Sequence, residues 1–131
     1  MNAKKNLPLL FVLIATLLFS WTSARAQDGL GTIMTMNIDG AIAPASFQYL
    51  DRAVKVAERN NAEALILQLN TPGGSIAAMN DIVQRIRASR VPIIVYVSPR
   101  GAMAGSAGTI ITLAGHASAM APETIIGAAS P

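Results

Sequence analysis

Residues 64–75 read ALILQLNTPGGS, an apolar run followed at once by a glycine-rich loop. The same order recurs at residues 91–108, which read VPIIVYVSPRGAMAGSAG. Short apolar runs bounded by glycine and proline are typical of buried strands, so each run predicts a strand. Because both loops follow strands that are predicted to belong to one parallel sheet, we expect the loops to lie at the same edge of that sheet.

The rest of the chain alternates between strand and helix patterns. Strands are predicted at 32–38 and 117–120, and helices at 44–60, 75–89 and 106–114. In the first two helices apolar residues recur at spacings of three and four; they are Phe47, Leu50, Val54 and Ala57, then Ile76, Met79, Val83 and Ile86, with Met79 interpreted as a core residue. This alternation predicts an α/β fold with a mostly parallel sheet and right-handed crossovers.

The first 26 residues have the pattern of a secretory signal peptide. Lys4 and Lys5 precede an almost wholly apolar stretch at 7–21, and residues 24–26, ARA, match a cleavage site. That stretch is short for a membrane span, which needs about 20 apolar residues, and an uncleaved anchor is the alternative. We therefore expect an exported chain with residues 27–131 as its single domain.

Charge and cysteine content exclude several function classes. Lys and Arg number 10 against 7 Asp and Glu, but Lys4, Lys5 and Arg25 belong to the signal segment, which leaves the mature part formally neutral. Without a basic run, nucleic-acid binding has no support. Because the chain has no cysteine and one histidine, we expect no thiol nucleophile, no metal site and no cofactor.

Ser106 is the candidate nucleophile. It lies within GSAG, residues 105–108, where small neighbours let a substrate backbone approach closely. At the start of the predicted helix, free N–H groups and the positive end of the helix dipole favour a developing oxyanion. Gly73 and Gly74 let the first loop turn a second N–H toward the same point.

The alternative interpretation of both loops is structural. Ser106 would then be an ordinary helix N-cap, and Gly73 and Gly74 would form a simple strand-to-helix turn. Phosphate binding is a weaker alternative, because neither loop has the G-x-x-x-x-G-K-[ST] spacing or a lysine. What favours a catalytic site is the combination of the two loops in consecutive strand-loop-helix units.

Taken in order, these motifs resemble the NfeD type of membrane-bound serine proteases, which belong to the Clp-protease and signal-peptide-peptidase class. The matching segments are LQLNTPGG at 67–74, PIIVYV at 92–97, GAMAGSAG at 101–108, MAP at 120–122 and IGAA at 126–129. The resemblance implies a ClpP/crotonase fold that is incomplete at the C-terminus, with residues 27–131 as a truncated protease domain. One departure is Asn70, where the family often has Asp.

The resemblance also implies roles for individual residues. Ser106 matches the family nucleophile, and the N–H groups of Gly74 and Ala107 match its oxyanion hole. Pro72 and Gly73 match the substrate-binding loop. The family base is a lysine a few tens of residues beyond the serine, but none of the 25 residues after Ser106 is a lysine. The dyad is therefore incomplete in this chain, and the 131 residues alone are expected to be inactive.

Other residues are poor candidates for the base. Lys55 is predicted on the exposed side of the first helix as a partner of Asp51, four residues away. His116 would need Glu123 or Asp81 to orient it. It is expected at the end of the third helix that lies far from the serine. A general base must first lie within hydrogen-bond reach of the hydroxyl, whatever its pKa.

By resemblance, the full protein is an exported, membrane-associated serine endopeptidase that cleaves apolar segments of membrane proteins. The family further implies homo-oligomers, a link with stomatin-like membrane proteins, and membrane spans and a small β-barrel domain downstream. Two alternatives stay open. A crotonase-like acyl-thioester enzyme would use the same N–H groups, although export argues against coenzyme A. A non-catalytic interaction module that partners stomatin-like proteins suits a chain without a base.

Overall fold

The computed structural model describes residues 31–129, and the predicted signal peptide lies outside them. The elements are β1 Ile33–Asp39, α1 Pro44–Arg59, β2 Ala64–Asn70, α2 Ile76–Arg87, β3 Ile93–Val97, β4 Met103–Gly105, α3 Ala107–Ala114, β5 Ala117–Met120 and β6 Ile125–Gly127. Strands and helices alternate as far as β3, and the last helix is then flanked by two consecutive strands on each side, β3 and β4 before it and β5 and β6 after it, without a helix between them. Within this part of the chain, none of the helices combines the length and the apolarity needed to cross a bilayer.

Four strands form a parallel sheet in the order β1-β2-β3-β5. In its register Ile33 pairs with Ala64, Leu65 with Ile93, and Ile94 with Ala117. Strands β4 and β6 form a separate two-stranded parallel sheet. The predicted α/β fold with a mostly parallel sheet is confirmed, and the carboxyl ends of β1, β2 and β3 meet at one edge.

The core lies against one face of the larger sheet. Side chains alternate between the two faces of a strand, and the residues of one face are buried together with the inner sides of the helices. This core includes Met36, Ile38, Leu65, Leu67, Leu69, Ile93, Val95 and Val97 from the sheet, and Leu50, Val54, Ala57, Ile82, Ile86 and Ile111 from the helices. On the opposite face Asn37 and Gln68 are exposed and Tyr96 is half-buried.

Two predictions about this architecture were wrong. The buried stripe of α2 consists of Ala78, Ile82 and Ile86, whereas Ile76 is 72% exposed because it begins the helix beyond the sheet edge. Residues 103–105, predicted as part of a loop, form β4, and β6 was not predicted. Strands of three residues are too short to show the alternation from which strands are predicted.

A charged network joins α1 to α2. The Arg85 guanidinium donates from Nε to Asp51 Oδ1 at 2.9 Å and from Nη2 to Glu58 Oε2 at 3.1 Å. Hydrogen bonds from Lys55 and Arg85 hold the pKa of Asp51 below its ordinary value. Hydrogen bonds from Arg85 and from the Arg90 N–H do the same for the pKa of Glu58.

Candidate functional site

The two glycine-rich loops meet at the edge formed by the carboxyl ends of the strands. Thr71 pairs with Ala104 in a parallel bridge; the Thr71 N–H donates to the Met103 carbonyl at 2.7 Å, and the Gly105 N–H donates to the Thr71 carbonyl at 2.9 Å. The loop after β2 is thereby fixed in register with the strand that leads into Ser106. The two loops that the sequence predicts as parts of one site therefore lie together in the structure.

The backbone of Ser106 is strained. Its φ of 49° and ψ of −112° belong to a region that non-glycine residues enter at a cost of about 1–3 kcal/mol, and such residues cluster at functional sites. Its side chain makes no capping hydrogen bond. Ser75, at the start of α2, has a φ of −61° and does cap its helix, since its Oγ accepts from the Ala78 N–H at 3.3 Å. The exposed Ser106 hydroxyl therefore does not behave as a helix cap.

The last described strand holds this serine in place. The Ser106 N–H donates to the Gly127 carbonyl at 2.8 Å, and the Gly127 N–H donates to Thr109 Oγ1 at 3.0 Å. Thr109 Oγ1 in turn lies 2.8 Å from the Ala104 carbonyl oxygen. The conformation of Ser106 is thus determined by β4 on one side and by β6 on the other. Sequence reasoning did not find Thr109 or assign this role to Gly127.

Gly73 and Gly74 are required where they stand. Their φ values are +124° and +152°, which strain any other residue. A Cβ on Gly73 would lie 2.8 Å from Ser106 Cβ, and one on Gly74 would lie 2.2 Å from the Ile42 carbonyl oxygen. Pro72, which precedes them in the predicted substrate-binding loop, is exposed. The predicted loop is therefore in direct contact with the candidate nucleophile.

Two backbone N–H groups at the site have no acceptor within residues 31–129. Among the hydrogen bonds of residues 31–129, none is donated by the Gly74 N–H or the Ala107 N–H. Ala107 is the first residue of α3, and the first N–H groups of a helix have no acceptor within it. Free N–H groups beside a hydroxyl are what an oxyanion hole needs.

An apolar cavity of about 310 Å³ lies beside these groups. Its lining includes Gly74, Ser106 and Ala107 together with the side chains of Ile76, Met79 and Ile110. Met79 is packed partly against the core, as predicted, and also forms part of this wall. The hydrophobic pattern had marked Ile76 and Met79 as apolar, but periodicity alone does not distinguish a core wall from a cavity wall.

None of the alternative bases lies where it could assist Ser106. Lys55 donates to Asp51 at 2.7 Å on the exposed side of α1, as predicted. His116 pairs with Ile93 at the amino end of β3, where its Nδ1 accepts the Ile93 N–H at 3.1 Å. This is the opposite edge of the sheet from the glycine-rich loops, so the Ser-His interpretation has no geometric basis.

Glu123, one of the two carboxylates considered as partners that could orient His116, is engaged elsewhere. Glu123 accepts from Arg100 Nε at 2.9 Å, and this hydrogen bond lowers the pKa of the exposed Glu123 carboxyl. Within residues 31–129, no cluster of three His, Asp or Glu side chains could hold a metal ion.

A second, larger cleft of about 590 Å³ opens at the same edge. Its lining is polar and includes Asp39, Asn70 and Arg100, but not Ser106. Asn70 is occupied structurally, because its Nδ2 donates to Asp39 Oδ1 at 3.0 Å and its Oδ1 accepts the Met103 N–H at 3.1 Å. Since this cleft contains neither the strained serine nor the free donors, we assign the site to the apolar cavity.

Comparison with known proteins gives a match over almost all of the described chain. The family model described as NfeD1b, N-terminal domain, matches residues 32–131. The membrane-bound protease PH1510 of Pyrococcus horikoshii is 50% identical over 99 residues, which are 76% of this chain and 22% of that protein. This chain thus spans less than a quarter of that relative.

Solved structures agree with this result. The 1510-N membrane-bound stomatin-specific protease has been solved as a serine-to-alanine mutant and, with a substrate peptide, as a lysine-to-alanine mutant. Both match with a TM-score of 0.76 and 48% identity over 77% of this chain, which spans 49% and 46% of theirs. ClpP1 from Listeria monocytogenes matches with a TM-score of 0.57 at 22% identity, over 62% of this chain and 46% of that one. The fold is therefore of the ClpP class.

Proposed function

Since this chain belongs to the family of NfeD1b N-terminal domains, we propose that it is the N-terminal part of a serine endopeptidase with Ser106 as its nucleophile. The Gly74 and Ala107 N–H groups form the oxyanion hole, and Pro72 and Gly73 belong to the loop that binds substrate. Relatives of this chain are proteases. The chain spans only part of each, so the activity, substrates and partners of the whole protein are proposals.

The observation that carries this proposal is the state of the Ser106 hydroxyl. It lies on a strained backbone, it caps no helix, and it borders an apolar cavity together with two N–H groups that have no acceptor in the described part of the chain. A structural serine at a helix start would adopt the conformation of Ser75 and would gain a capping hydrogen bond. Because the backbone of Ser106 is strained and its side chain gains no capping hydrogen bond, a role in nucleophilic attack is favoured.

We assign the general base to a lysine outside residues 31–129, giving a Ser-Lys dyad. Lys55 and His116, the side chains considered above, are bound to Asp51 and to the Ile93 N–H respectively. A related protease has been solved as a lysine-to-alanine mutant with its substrate peptide. A serine hydroxyl without a base is a weak nucleophile, so turnover requires this lysine.

The lining of the cavity supports apolar substrates. Ile76, Met79 and Ile110 provide its side-chain walls, and such walls bind apolar side chains by removing them from water. We propose that the full protein is exported, associates with the membrane, forms homo-oligomers and cleaves apolar segments of membrane proteins. Because 1510-N is a stomatin-specific protease, a stomatin homologue is the first candidate substrate.

The test compares two serine variants of the full-length protein. Ser106→Ala should abolish cleavage of an apolar peptide while the protein still folds and binds that peptide. Ser75→Ala is the matched control, because it also removes a serine hydroxyl at a helix start; it should lower stability by about 1 kcal/mol and preserve cleavage. Cleavage that survives Ser106→Ala would overturn the proposed nucleophile.

A non-catalytic interaction module of the same fold is the other outcome of this test. In that case the full-length protein would bind a stomatin homologue but show no cleavage that depends on Ser106. The strained serine argues against this alternative, since a binding surface gains nothing from a positive φ at Ser106.

A further inference from the structure

The hydroxyl of Thr71 lies at the centre of the loop that carries Gly74. Thr71 is fully buried; its Oγ1 accepts the Gly73 N–H at 3.1 Å and donates to the Gly73 carbonyl oxygen at 3.1 Å. Its methyl group packs toward α3, where a Cβ on Gly108 would lie 2.5 Å from Thr71 Cγ2. A buried hydroxyl that both donates a hydrogen bond to one glycine and accepts one from it fixes the local turn.

The carbonyl that accepts from Thr71 belongs to the peptide whose N–H is that of Gly74. This Gly73 carbonyl also accepts the Ile42 N–H at 2.8 Å. In a trans peptide the C=O and the following N–H point in opposite directions in one plane. Two donors that hold the Gly73 carbonyl on one side therefore turn the Gly74 N–H to the other side, where Gly74 borders the cavity beside Ser106.

We propose that Thr71 is a positioning residue, whose hydroxyl holds the Gly73-Gly74 peptide in the orientation that aims the Gly74 N–H at the oxyanion. This inference rests on the proposed function. Glycine peptides rotate more readily than others, since both φ and ψ are less restricted. Without the hydroxyl, the Ile42 N–H is the donor to this carbonyl that remains within residues 31–129, and the Gly74 N–H is aimed correctly for a smaller fraction of the time.

Three variants at position 71, each compared with the parent, separate the effect of the hydroxyl from that of the methyl group in the full-length protein. Thr71→Val keeps the shape and removes the hydroxyl, while Thr71→Ser keeps the hydroxyl and removes the methyl. Thr71→Ala removes both. Loss of an entire oxyanion donor costs about 10²–10³ in rate, so a misaimed donor should lower kcat by roughly tenfold or more in Thr71→Val, with KM changed by less than about twofold.

A second readout separates aiming from general damage. A peptide boronate that forms a tetrahedral adduct on Ser106 should bind Thr71→Val more weakly, in proportion to the loss of kcat/KM. The uncleaved peptide should bind equally well to Ser106→Ala with or without Thr71→Val. Thr71→Ser should keep kcat within about threefold of the parent, because its hydroxyl can make the same two hydrogen bonds.

The outcomes are distinguishable. If Ser106→Ala leaves cleavage intact, the proposed function fails before this inference is reached. If Ser106→Ala abolishes cleavage but Thr71→Val keeps kcat, the Thr71 hydroxyl does not position the donor. Should Thr71→Val fail to fold, the Ser and Ala variants decide: equal losses of kcat in both would overturn the proposal, and a loss confined to Thr71→Ala would support it.

Discussion

The Ser106 N–H donates to the carbonyl of Gly127 at 2.8 Å. This bond joins the candidate nucleophile to β6, a strand that also pairs with β4 and that bonds to Thr109 Oγ1 through the Gly127 N–H. It explains how a serine remains at a φ of 49°, because the surrounding hydrogen bonds fix the peptide on its amino side. Strained residues persist only where their surroundings determine their conformation in this way.

Replacing Ser106 by glycine should stabilise the fold while removing the nucleophile. Glycine adopts a positive φ without the steric cost, although it loses more backbone entropy on folding. We expect Ser106→Gly to raise the free energy of unfolding by about 1 kcal/mol, measured by urea denaturation. Ser106→Ala, which keeps a Cβ in the same backbone conformation, is the control. A glycine variant less stable than the alanine variant would mean that Ser106 is not strained.

Gly74→Ala should be far more damaging than the same change at another glycine with positive φ. At Gly74 the new Cβ would meet the Ile42 carbonyl oxygen at 2.2 Å, whereas at Gly40, with a φ of +107°, nothing lies within 4 Å. We expect Gly40→Ala to cost about 1–2 kcal/mol from backbone strain alone, and Gly74→Ala to cost at least twice that. Thermal unfolding of both variants checks the difference; equal melting temperatures would contradict the close approach.

A larger side chain at position 74 should lower turnover. Gly74→Val restricts the loop and places a branched side chain against Ile42 and the donor. Since the loss of one oxyanion donor lowers the rate by about 10²–10³, we expect a decrease of that order in kcat of the full-length protein. Wild-type kcat in a folded Gly74→Val variant would remove Gly74 from the oxyanion hole.

His116→Ala should reduce stability and leave cleavage unchanged. The imidazole Nδ1 accepts the Ile93 N–H at 3.1 Å at the amino end of β3, and a hydrogen bond of this kind contributes about 0.5–1.5 kcal/mol. We expect a loss of that size in denaturation, with kcat and its pH dependence preserved in the full-length protein. A decrease of a hundredfold or more in kcat would instead restore His116 as a base.

The charged contact between α1 and α2 should make stability depend on pH. The hydrogen bonds from Arg85 and the Arg90 N–H lower the pKa of folded Glu58, so the folded state binds a proton less readily than the unfolded state. The resulting stabilisation is present above the unfolded pKa of about 4.3 and is lost as the pH falls through the lower folded pKa. Glu58→Gln should therefore cost about 1 kcal/mol at pH 7 and much less near pH 2.5.

The control for Glu58→Gln is Lys55→Met. The Lys55 side chain is 59% exposed, and exposed pairs of this spacing contribute only about 0.3–0.5 kcal/mol. Urea denaturation of the three proteins at both pH values provides the comparison. A cost of Glu58→Gln that is the same at pH 7 and pH 2.5 would show that the carboxylate charge is not involved.

Ile76→Asp should weaken the binding of apolar substrates without unfolding the protein. Ile76 and Leu113 are both 72% exposed, but only Ile76 lines the cavity beside Ser106. Loss of an apolar contact in a pocket typically costs about 10- to 200-fold in discrimination, so we expect KM for an apolar peptide to rise roughly tenfold in Ile76→Asp. Leu113→Asp should leave KM unchanged; a similar rise there would point to a general surface effect.

Much of the fold follows from pattern alone. The strand that begins at Ala64 and the helix that begins at Pro44 were predicted correctly, because continuous apolar runs and spacings of three and four reflect burial directly. The side-chain hydrogen bonds that complete the candidate site leave no such pattern in the sequence. Thr71 and Thr109 act through single hydroxyls whose partners, Gly73 and Gly127, are defined only by the three-dimensional fold.

The wrong assignment of Ile76 has a similar cause. An apolar residue at the first turn of a helix fits a core stripe and a cavity wall equally well, and only the position of the sheet edge distinguishes them. Ser106 became the candidate nucleophile because a small-residue loop after a strand is itself a local signal. Its roles as nucleophile or cap were not distinguishable in sequence, since the difference lies in backbone torsion angles.

The pairing of β4 with β6 also has a consequence for the order in which the domain is made. A ribosome adds Ile125–Gly127 after every other strand described here, and β4 and Ser106 precede it. Until that segment emerges, the Ser106 N–H and the Thr109 hydroxyl lack their Gly127 partners. We therefore expect a nascent chain to assemble its larger sheet first and to fix the backbone of Ser106 only after residues 125–127 have emerged.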